Sequence, residues 1–291
     1  MDPALRGVSF EIKPGEKIGV VGRTGSGKSS LLMALFRLAE SESGKIIVDG
    51  VDISKLGLKE LRSRFAIIPQ EPVLFKGTVR SNLDPFGKFT DQQLWDACEL
   101  AHLKDMVANL PEKLEYPISE DGQNFSLGQK QLFCLARAIL NNSRVLALDE
   151  ATGKKDFVIV LIMKAAMDLE TDALIQASIR KAFEKNTVIT IAHRLDTIID
   201  YDKILVMDAG VAVEFDTVQN LLNKSDSIFA SLAAEAGIDP STVKKRGQIE
   251  ESPLKEKKEK KEKKSKKSKK EKKEKKEKKK TRRNNTDVKE L

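Results

Sequence analysis

The octet Gly22-Arg-Thr-Gly-Ser-Gly-Lys28-Ser29 constrains this chain more than any other stretch. It fits the pattern G-x-x-x-x-G-K-[ST], follows the apolar run Ile18-Gly-Val-Val21 and opens a helix-forming stretch. Strand, glycine-rich turn and helix in that order build a phosphate cradle. Gly22, Gly25 and Gly27 let backbone N–H groups approach an anion, with Arg23, Thr24 and Ser26 between them. Lys28 brings positive charge to β- and γ-phosphates. Ser29 can ligate Mg²⁺, and Ser30 shares with it a first helical turn whose dipole favours negative charge. A glycine-rich turn before an ordinary helix is the bland reading, and the matched context weighs against it.

Short apolar runs at Lys17–Val21, Phe65–Pro69, Arg144–Leu148, Thr187–Ala192 and Lys203–Met207 read as buried strands. Helical stretches lie between and after them, at Ser29–Leu38, Asp91–Ala101, Gln129–Leu140, Thr171–Phe183 and Thr217–Leu222. The stretch from Gln129 puts Leu132, Leu135 or Ala136, and Ile139 on one face. Alternating strands and helices imply an α/β fold with a largely parallel sheet. The helix-rich region of about 91–140 reads as a helical subdomain. The run Arg144-Val-Leu-Ala-Leu ends in Asp149-Glu150. Beside a phosphate loop, Asp149 is a candidate for the Mg²⁺ shell and Glu150 for orienting or deprotonating a water.

Charge is placed unevenly. Ser241 to the end carries 24 Lys and Arg against 10 Asp and Glu, which is +14 in a chain of +8 overall. Residues 1–240 are therefore at −6, which argues against a nucleic-acid-binding body. Lys255–Lys280 holds 18 Lys, 6 Glu and 2 Ser with no apolar residue, so it cannot bury a core. A solvated tail over 241–291, beyond a cassette at 1–240, is the simplest reading. Contact with anionic lipid, or with nucleic acid or the nuclear-import machinery, are the alternatives. Cys98 and Cys134 lack metal-ligand spacing and read as buried thiols in a reducing setting. The longest uninterrupted apolar run, Phe157–Met163, is far short of the roughly 20 residues a membrane span needs.

Asn124-Phe-Ser126-Leu-Gly128-Gln129, followed by Lys-Gln-Leu-Phe-Cys-Leu-Ala-Arg-Ala, narrows the choice among phosphate-loop proteins. It resembles the signature motif of ABC ATPases. The resemblance implies a P-loop NTPase cassette with a parallel core sheet, a helical subdomain and a partial antiparallel subdomain, binding ATP with Mg²⁺. It further implies that Ser126, Gly128 and Gln129 face ATP held by a second cassette. Gln70, in Ile-Ile-Pro-Gln70, looks like the family's glutamine that reaches Mg²⁺ or water. His193, in Ile-Ala-His193-Arg, looks like the switch histidine at the γ-phosphate. Ala165-Ala-Met-Asp168 looks like the loop that crosses the dimer interface. The segment Pro69-Gln-Glu-Pro-Val-Leu-Phe-Lys-Gly-Thr-Val-Arg-Ser-Asn-Leu-Asp-Pro85-Phe86 resembles the C subfamily, the multidrug-resistance-associated exporters, and within it the C-terminal cassette. Such a cassette implies transmembrane domains, a paired cassette and a place on the cytosolic face of a membrane.

The sequence departs from the family in three places. Leu127 stands where the commonest form has Gly. The adenine-stacking aromatic that family members carry upstream of the phosphate loop falls before Met1, and Phe10 reads as core. Gly153–Lys164, 12 residues, intervenes between Asp149-Glu150-Ala-Thr and Ala165-Ala-Met-Asp168. Its β-prone centre is an aggregation hazard if exposed. A retained intron or gene-model error, with Gly-Lys encoded by a splice-donor-like GGTAAG, competes here with a genuine surface insertion. Three functions follow in order: an exporter ATPase domain, a catalytically impaired or regulatory nucleotide-binding fragment, and a soluble ABC ATPase acting on nucleic acid.

Overall fold

The computed structural model describes residues 3–69, 71–141, 143–149, 178–192 and 194–243. The first half supplies β1 (Lys17–Val21), α1 (Lys28–Leu35), β2 (Ile47–Val48), β3 (Val51–Asp52), α2 (Leu58–Arg64) and β4 (Phe65–Ile68). A helical stretch follows, with β5 (Gly77–Thr78), α3 (Val79–Leu83), α4 (Asp91–Leu100), α5 (Lys104–Ala108), β6 (Pro117–Ile118) and α6 (Leu127–Leu140). The chain then returns to the sheet with β7 (Val145–Asp149), β8 (Thr187–Ile191), β9 (Lys203–Asp208) and β10 (Val211–Thr217). Two helices, Val218–Asn223 and Ile228–Glu235, close the described part.

The central sheet has six strands in the order β10-β9-β1-β8-β7-β4. All neighbours are parallel except β10, which runs antiparallel to β9. The five apolar runs of the sequence become its five parallel strands, and β10 is the strand that periodicity overlooks. β2 and β3 form a separate antiparallel pair. Among the described residues no helix is long and apolar enough to cross a membrane.

Alternation along the strands separates two cores. In β7, Leu146 and Leu148 face the cluster of α4 and α6, whereas Ala147 faces the cluster of α1 and α2. This follows from the two-residue side-chain period of a strand. Helix α6 is apolar beyond a single stripe. Leu132, Phe133, Cys134, Leu135, Ala136, Ala138 and Leu140 are all buried, while Ile139 is only partly so. It is an internal helix with contacts on several sides, which is why the one-face reading of Leu132, Leu135 and Ile139 falls short.

Lys17 ties β1 to the segment entering β8. Its buried ammonium donates to the carbonyls of Phe183 (2.7 Å), Glu184 (3.3 Å) and Asn186, while its own N–H donates to Asp202 Oδ2 at 2.8 Å. Phe183 and Glu184 follow the helical residues 178–182, so the cation sits at a helix C-terminal end, where the dipole favours positive charge. The strand before the phosphate loop is thereby anchored at its start.

Candidate nucleotide site

Parallel strands deliver the site. Val20 is in register with Ile191, and Ile191 with Asp149; Leu148 is in register with Ile68. The C-terminal ends of β1, β8, β7 and β4 therefore lie level across the sheet. In open α/β sheets that edge is where ligands bind. The phosphate loop leaves β1 there, and Asp149 is the last residue of β7. Gln70, Glu150 and His193 are the chain positions just beyond β4, β7 and β8. These three lie outside the described residues, as do Ala165–Asp168 and the 153–164 stretch.

The loop itself is shaped by close approach. A Cβ on Gly22 would stand 2.1 Å from the Met207 carbonyl oxygen, an impossible contact, so only glycine lets the loop lie on β9 at this point. Gly27 has φ 100° and forms the N-cap of α1 without any side-chain cap. The turn between β9 and β10 buttresses the loop from behind. Gly210 N–H donates to the Ser26 carbonyl at 3.0 Å, and the Gly210 carbonyl accepts from Arg6 N–H at 2.7 Å. Sequence reasoning passes over this support; the turn residues Ala209-Gly210, both at positive φ, are its only trace in the sequence.

Three features of the loop suit a polyphosphate. The backbone N–H groups of Gly25, Gly27, Ser29 and Ser30 have no acceptor among the described residues. Ser26 Oγ is buried without a hydrogen-bond partner. Lys28, also buried, bends its ammonium back onto the carbonyls of Gly22 (2.8 Å) and Arg23 (2.9 Å). A buried unpaired polar atom costs about 1–3 kcal/mol. An anion accepting from these donors would relieve that cost, and the lysine would exchange two carbonyls for phosphate oxygens. Arg23, Thr24, Gly25 and Ser29 are exposed and line the open side.

The fit to Mg²⁺ is narrower. Mg²⁺ is held through one or two carboxylates, a hydroxyl and the substrate's own phosphates. Ser29 offers its hydroxyl on the first turn of α1, and Asp149 ends a strand two places across the sheet. Among the described residues no cluster of three His, Cys, Asp or Glu side chains forms. A site completed by nucleotide phosphates is thus the arrangement these residues can support.

The signature stretch sits elsewhere. Ser126 is the N-cap of α6; its hydroxyl accepts from Gln129 N–H at 3.2 Å and the Gln129 carboxamide accepts from Ser126 N–H at 2.8 Å. Ser126 is exposed, Gly128 buried and Gln129 half-buried. The helix behind it belongs to one hydrophobic core and α1 to the other. The two phosphate-directed groups named from the sequence are therefore mounted on different packing units.

Comparison with known proteins agrees with this architecture. Residues 5–153 match the family described as ABC transporter. The chain is 53% identical over 236 residues to "Multidrug resistance protein mrp-7" of Caenorhabditis elegans, covering 81% of this chain and 15% of that protein. It is 52% identical over 239 residues to "ATP-binding cassette sub-family C member 2" of Rattus norvegicus, covering 82% of this chain and 15% of the relative. It thus spans about 15% of the length of these curated relatives. Among solved structures, a bacterial Atm1-family ABC exporter with ATP bound superposes with a TM-score of 0.70 at 32% identity, over 81% of this chain and 40% of that one. With the family pattern covering half of its residues on an α/β sheet that carries a phosphate loop at its ligand-binding edge, the chain belongs to the ABC transporter family, whose nucleotide-binding domains are ATPases.

Proposed function

We propose that this chain is the ATP-hydrolysing cassette of a C-subfamily exporter, working with transmembrane domains and a second cassette on the cytosolic face of a membrane. The phosphate loop carries the reading, with free amides on the first turn of α1, the orphaned Ser26 hydroxyl and a buried Lys28 in reach of them. Lys28 would leave the Gly22 and Arg23 carbonyls for the β- and γ-phosphates. The open N–H groups of Gly25, Gly27, Ser29 and Ser30 would cradle the phosphates, with Ser29, Asp149 and Gln70 holding Mg²⁺. When bound, Mg²⁺ supplies charge neutralisation across the phosphates. Glu150 would hold and deprotonate the attacking water, and His193 would donate to the γ-phosphate oxygens. Ser126, Gly128 and Gln129 would serve ATP on the second cassette, because their helix end is self-capped and separately mounted.

The test is specific activity against protein concentration. A site shared between two cassettes makes Mg-ATP turnover per chain rise as chains pair, and rise further when a paired cassette is added. Constant specific activity in a demonstrated monomer would overturn the shared site. A second reading, a catalytically impaired nucleotide-binding fragment, is favoured by the 12 residues of 153–164 that part Glu150 from Ala165–Asp168. Comparing turnover with and without residues 153–164 separates the two, since recovery of activity on deletion assigns the impairment to that stretch.

The Lys-rich tail bears on partners only. At about 1 kcal/mol per basic residue near an anionic leaflet, Lys255–Lys280 would hold a membrane-tethered chain to lipid. That attraction fades as the Debye length falls from roughly 10 Å at 0.1 M salt to 3 Å at 1 M. Salt-sensitive binding to phosphatidylserine vesicles should vanish when Lys255–Lys280 is deleted, with Mg-ATP binding unchanged. Vesicle binding that survives the deletion rules out the tail as the contact.

A further inference from the structure

A polar clamp joins α6 to the segment just after Gln70. Arg137, on α6, sends Nε to the Asn82 carbonyl (2.6 Å), Nη2 to Asn82 Oδ1 (2.8 Å) and Nη1 to the Val73 carbonyl (2.9 Å). Asn82, itself 2% exposed, closes the other side. Its Oδ1 accepts from Phe75 N–H at 2.8 Å, and its Nδ2 donates to the carbonyls of Phe75 (2.8 Å) and Thr78 (3.0 Å). The guanidinium also lies over the Phe75 ring, 5.7 Å from its centroid. Every one of these acceptors belongs to residues 73–82, whose inner part is also held by the buried Leu74 and Val79 and by the pairing of Gly77 and Thr78 with β6, so the arginine is the polar tie to the outer residues Val73 and Phe75.

The attachment has little apolar help at its outer end. Val73 is 47% exposed and Phe75 64%, so burial does not pin them. Beneath them lies a cavity of about 260 Å³ lined by Ile67, Pro69, Val73, Phe75, Cys134 and Arg137, among others. Leu74, between Val73 and Phe75, is fully buried in the core of α4 and α6, so the orientation of its two exposed neighbours is left to the hydrogen bonds. Three forked bonds from a planar guanidinium fix orientation as well as distance.

We propose that Arg137, acting with Asn82, is a positioning residue that fixes Val73 and Phe75, in the segment following Gln70, against the helix that begins at the signature. The inference deepens the ATPase reading, in which Gln70 and Ser126–Gln129 serve different nucleotides. Nothing in the clamp touches the phosphate loop, so nucleotide affinity should not depend on it.

Two thiols provide the readout. Cys134 is 5% exposed in the cavity wall, with its sulfur 4.0 Å from Arg137 Nη1; Cys98 is fully buried in the same core on α4. Burial pushes both thiols up, Cys98 to about 12, so neither should react readily in the parent chain at pH 8. The full chain is treated with N-ethylmaleimide and modification followed by mass spectrometry. Arg137→Met and Asn82→Ala should each speed Cys134 alkylation at least 10-fold, leaving Cys98 slow. The double variant should be no faster than the faster single one. Arg137→Lys should not rescue, because an ammonium cannot reach Val73 and Asn82 together. Parent-like Cys134 rates in Arg137→Met, multiplied rates in the double variant, or rescue by lysine would each overturn the proposal. If both thiols of Arg137→Met react together, the fold has gone, and Asn82→Ala decides; a slow Cys134 there overturns it. Binding of a fluorescent ATP analogue should stay within twofold in the variants, and a parallel loss of binding would also overturn it. A parent chain that binds no nucleotide would refute the ATPase reading alone, since the thiol comparison still reports on the clamp.

Discussion

Helix α1 starts at Gly27, in the left-handed region, with no side chain capping its first turn; α6 starts at Ser126, where hydroxyl and carboxamide close a reciprocal box with Gln129. Both helix ends are phosphate-directed by resemblance to the family, yet they are built in opposite ways. The first leaves its donors open and surrounds them with an orphaned hydroxyl and a folded-back lysine. It gains free energy when an anion arrives. The second has already satisfied itself, at a value of about 0.5–2 kcal/mol for such a cap. An anion there must displace a bond that exists. The difference fits the proposed division of labour, in which α1 holds the chain's own nucleotide and α6 engages a phosphate that a second cassette brings into place.

The largest effect expected separates chemistry from both helix ends. Glu150→Gln removes the carboxylate proposed to act on water and leaves each phosphate site intact. Turnover of Mg-ATP should fall by about 10²–10⁴-fold with binding preserved, the usual range for a general base. Single-turnover kinetics beside equilibrium binding checks it; equal loss of both would assign Glu150 to structure. Next in size is Lys28→Ala. Charged hydrogen bonds at about 1.5–3 kcal/mol convert to a 10- to 150-fold loss of Mg-ATP affinity. Calorimetric titration measures it, and affinity within threefold of the parent would break the claim that the α1 end holds nucleotide.

Ser26→Ala sharpens the same side. The buried Ser26 Oγ lacks a partner, so its removal should stabilise the nucleotide-free chain or leave it unchanged, by up to about 1–3 kcal/mol. Mg-ATP should then stabilise the variant less than the parent. Paired melting curves with and without Mg-ATP read both effects, and a destabilised nucleotide-free variant would show that the hydroxyl has a structural partner.

The two regions also differ in how far they can be read from sequence. The phosphate loop announces itself because glycine positions and the preceding apolar strand are local features, and β1 was expected with its observed bounds. What supports the loop is not local: Met207 and Gly210 approach it from β9 and the turn beyond. β10 escapes periodicity because its register shifts between Ala212 and Glu214, so that Ala212 and Phe215, three residues apart, share the packed face, while Val211 and Val213 are exposed. At α6 the helix begins at Leu127, two residues before Gln129, because Ser126 and Gln129 form a capping box. The pattern S-x-x-Q is readable as a cap, but a ligand role competes for the same residues. Arg137 is the least legible residue. In Cys-Leu-Ala-Arg-Ala it looks like a solvent-facing charge, and only the approach of residues 73–82 gives it partners.

The smallest effect is the sharpest test of the comparison. Ser126→Ala breaks one half of the box that starts α6 and leaves the phosphate loop untouched. Loss of the cap should cost about 0.5–2 kcal/mol. For a domain of this size each kcal/mol lowers the melting temperature by roughly 2–4 °C, so a fall of a few degrees is expected. Gln129→Ala should give a comparable or smaller fall, because it removes the reciprocal acceptor. In dilute monomer, Mg-ATP affinity should be unchanged in both variants, since α6 and α1 are mounted on separate cores. Turnover at concentrations where chains pair should decline if Ser126 faces the partner's nucleotide as proposed. If Ser126→Ala weakens nucleotide binding in a demonstrated monomer, the signature end reaches the chain's own phosphates and the contrast between the helix ends collapses. If it changes neither melting nor paired turnover, the capping box is a surface detail and α6 has no part in the shared site.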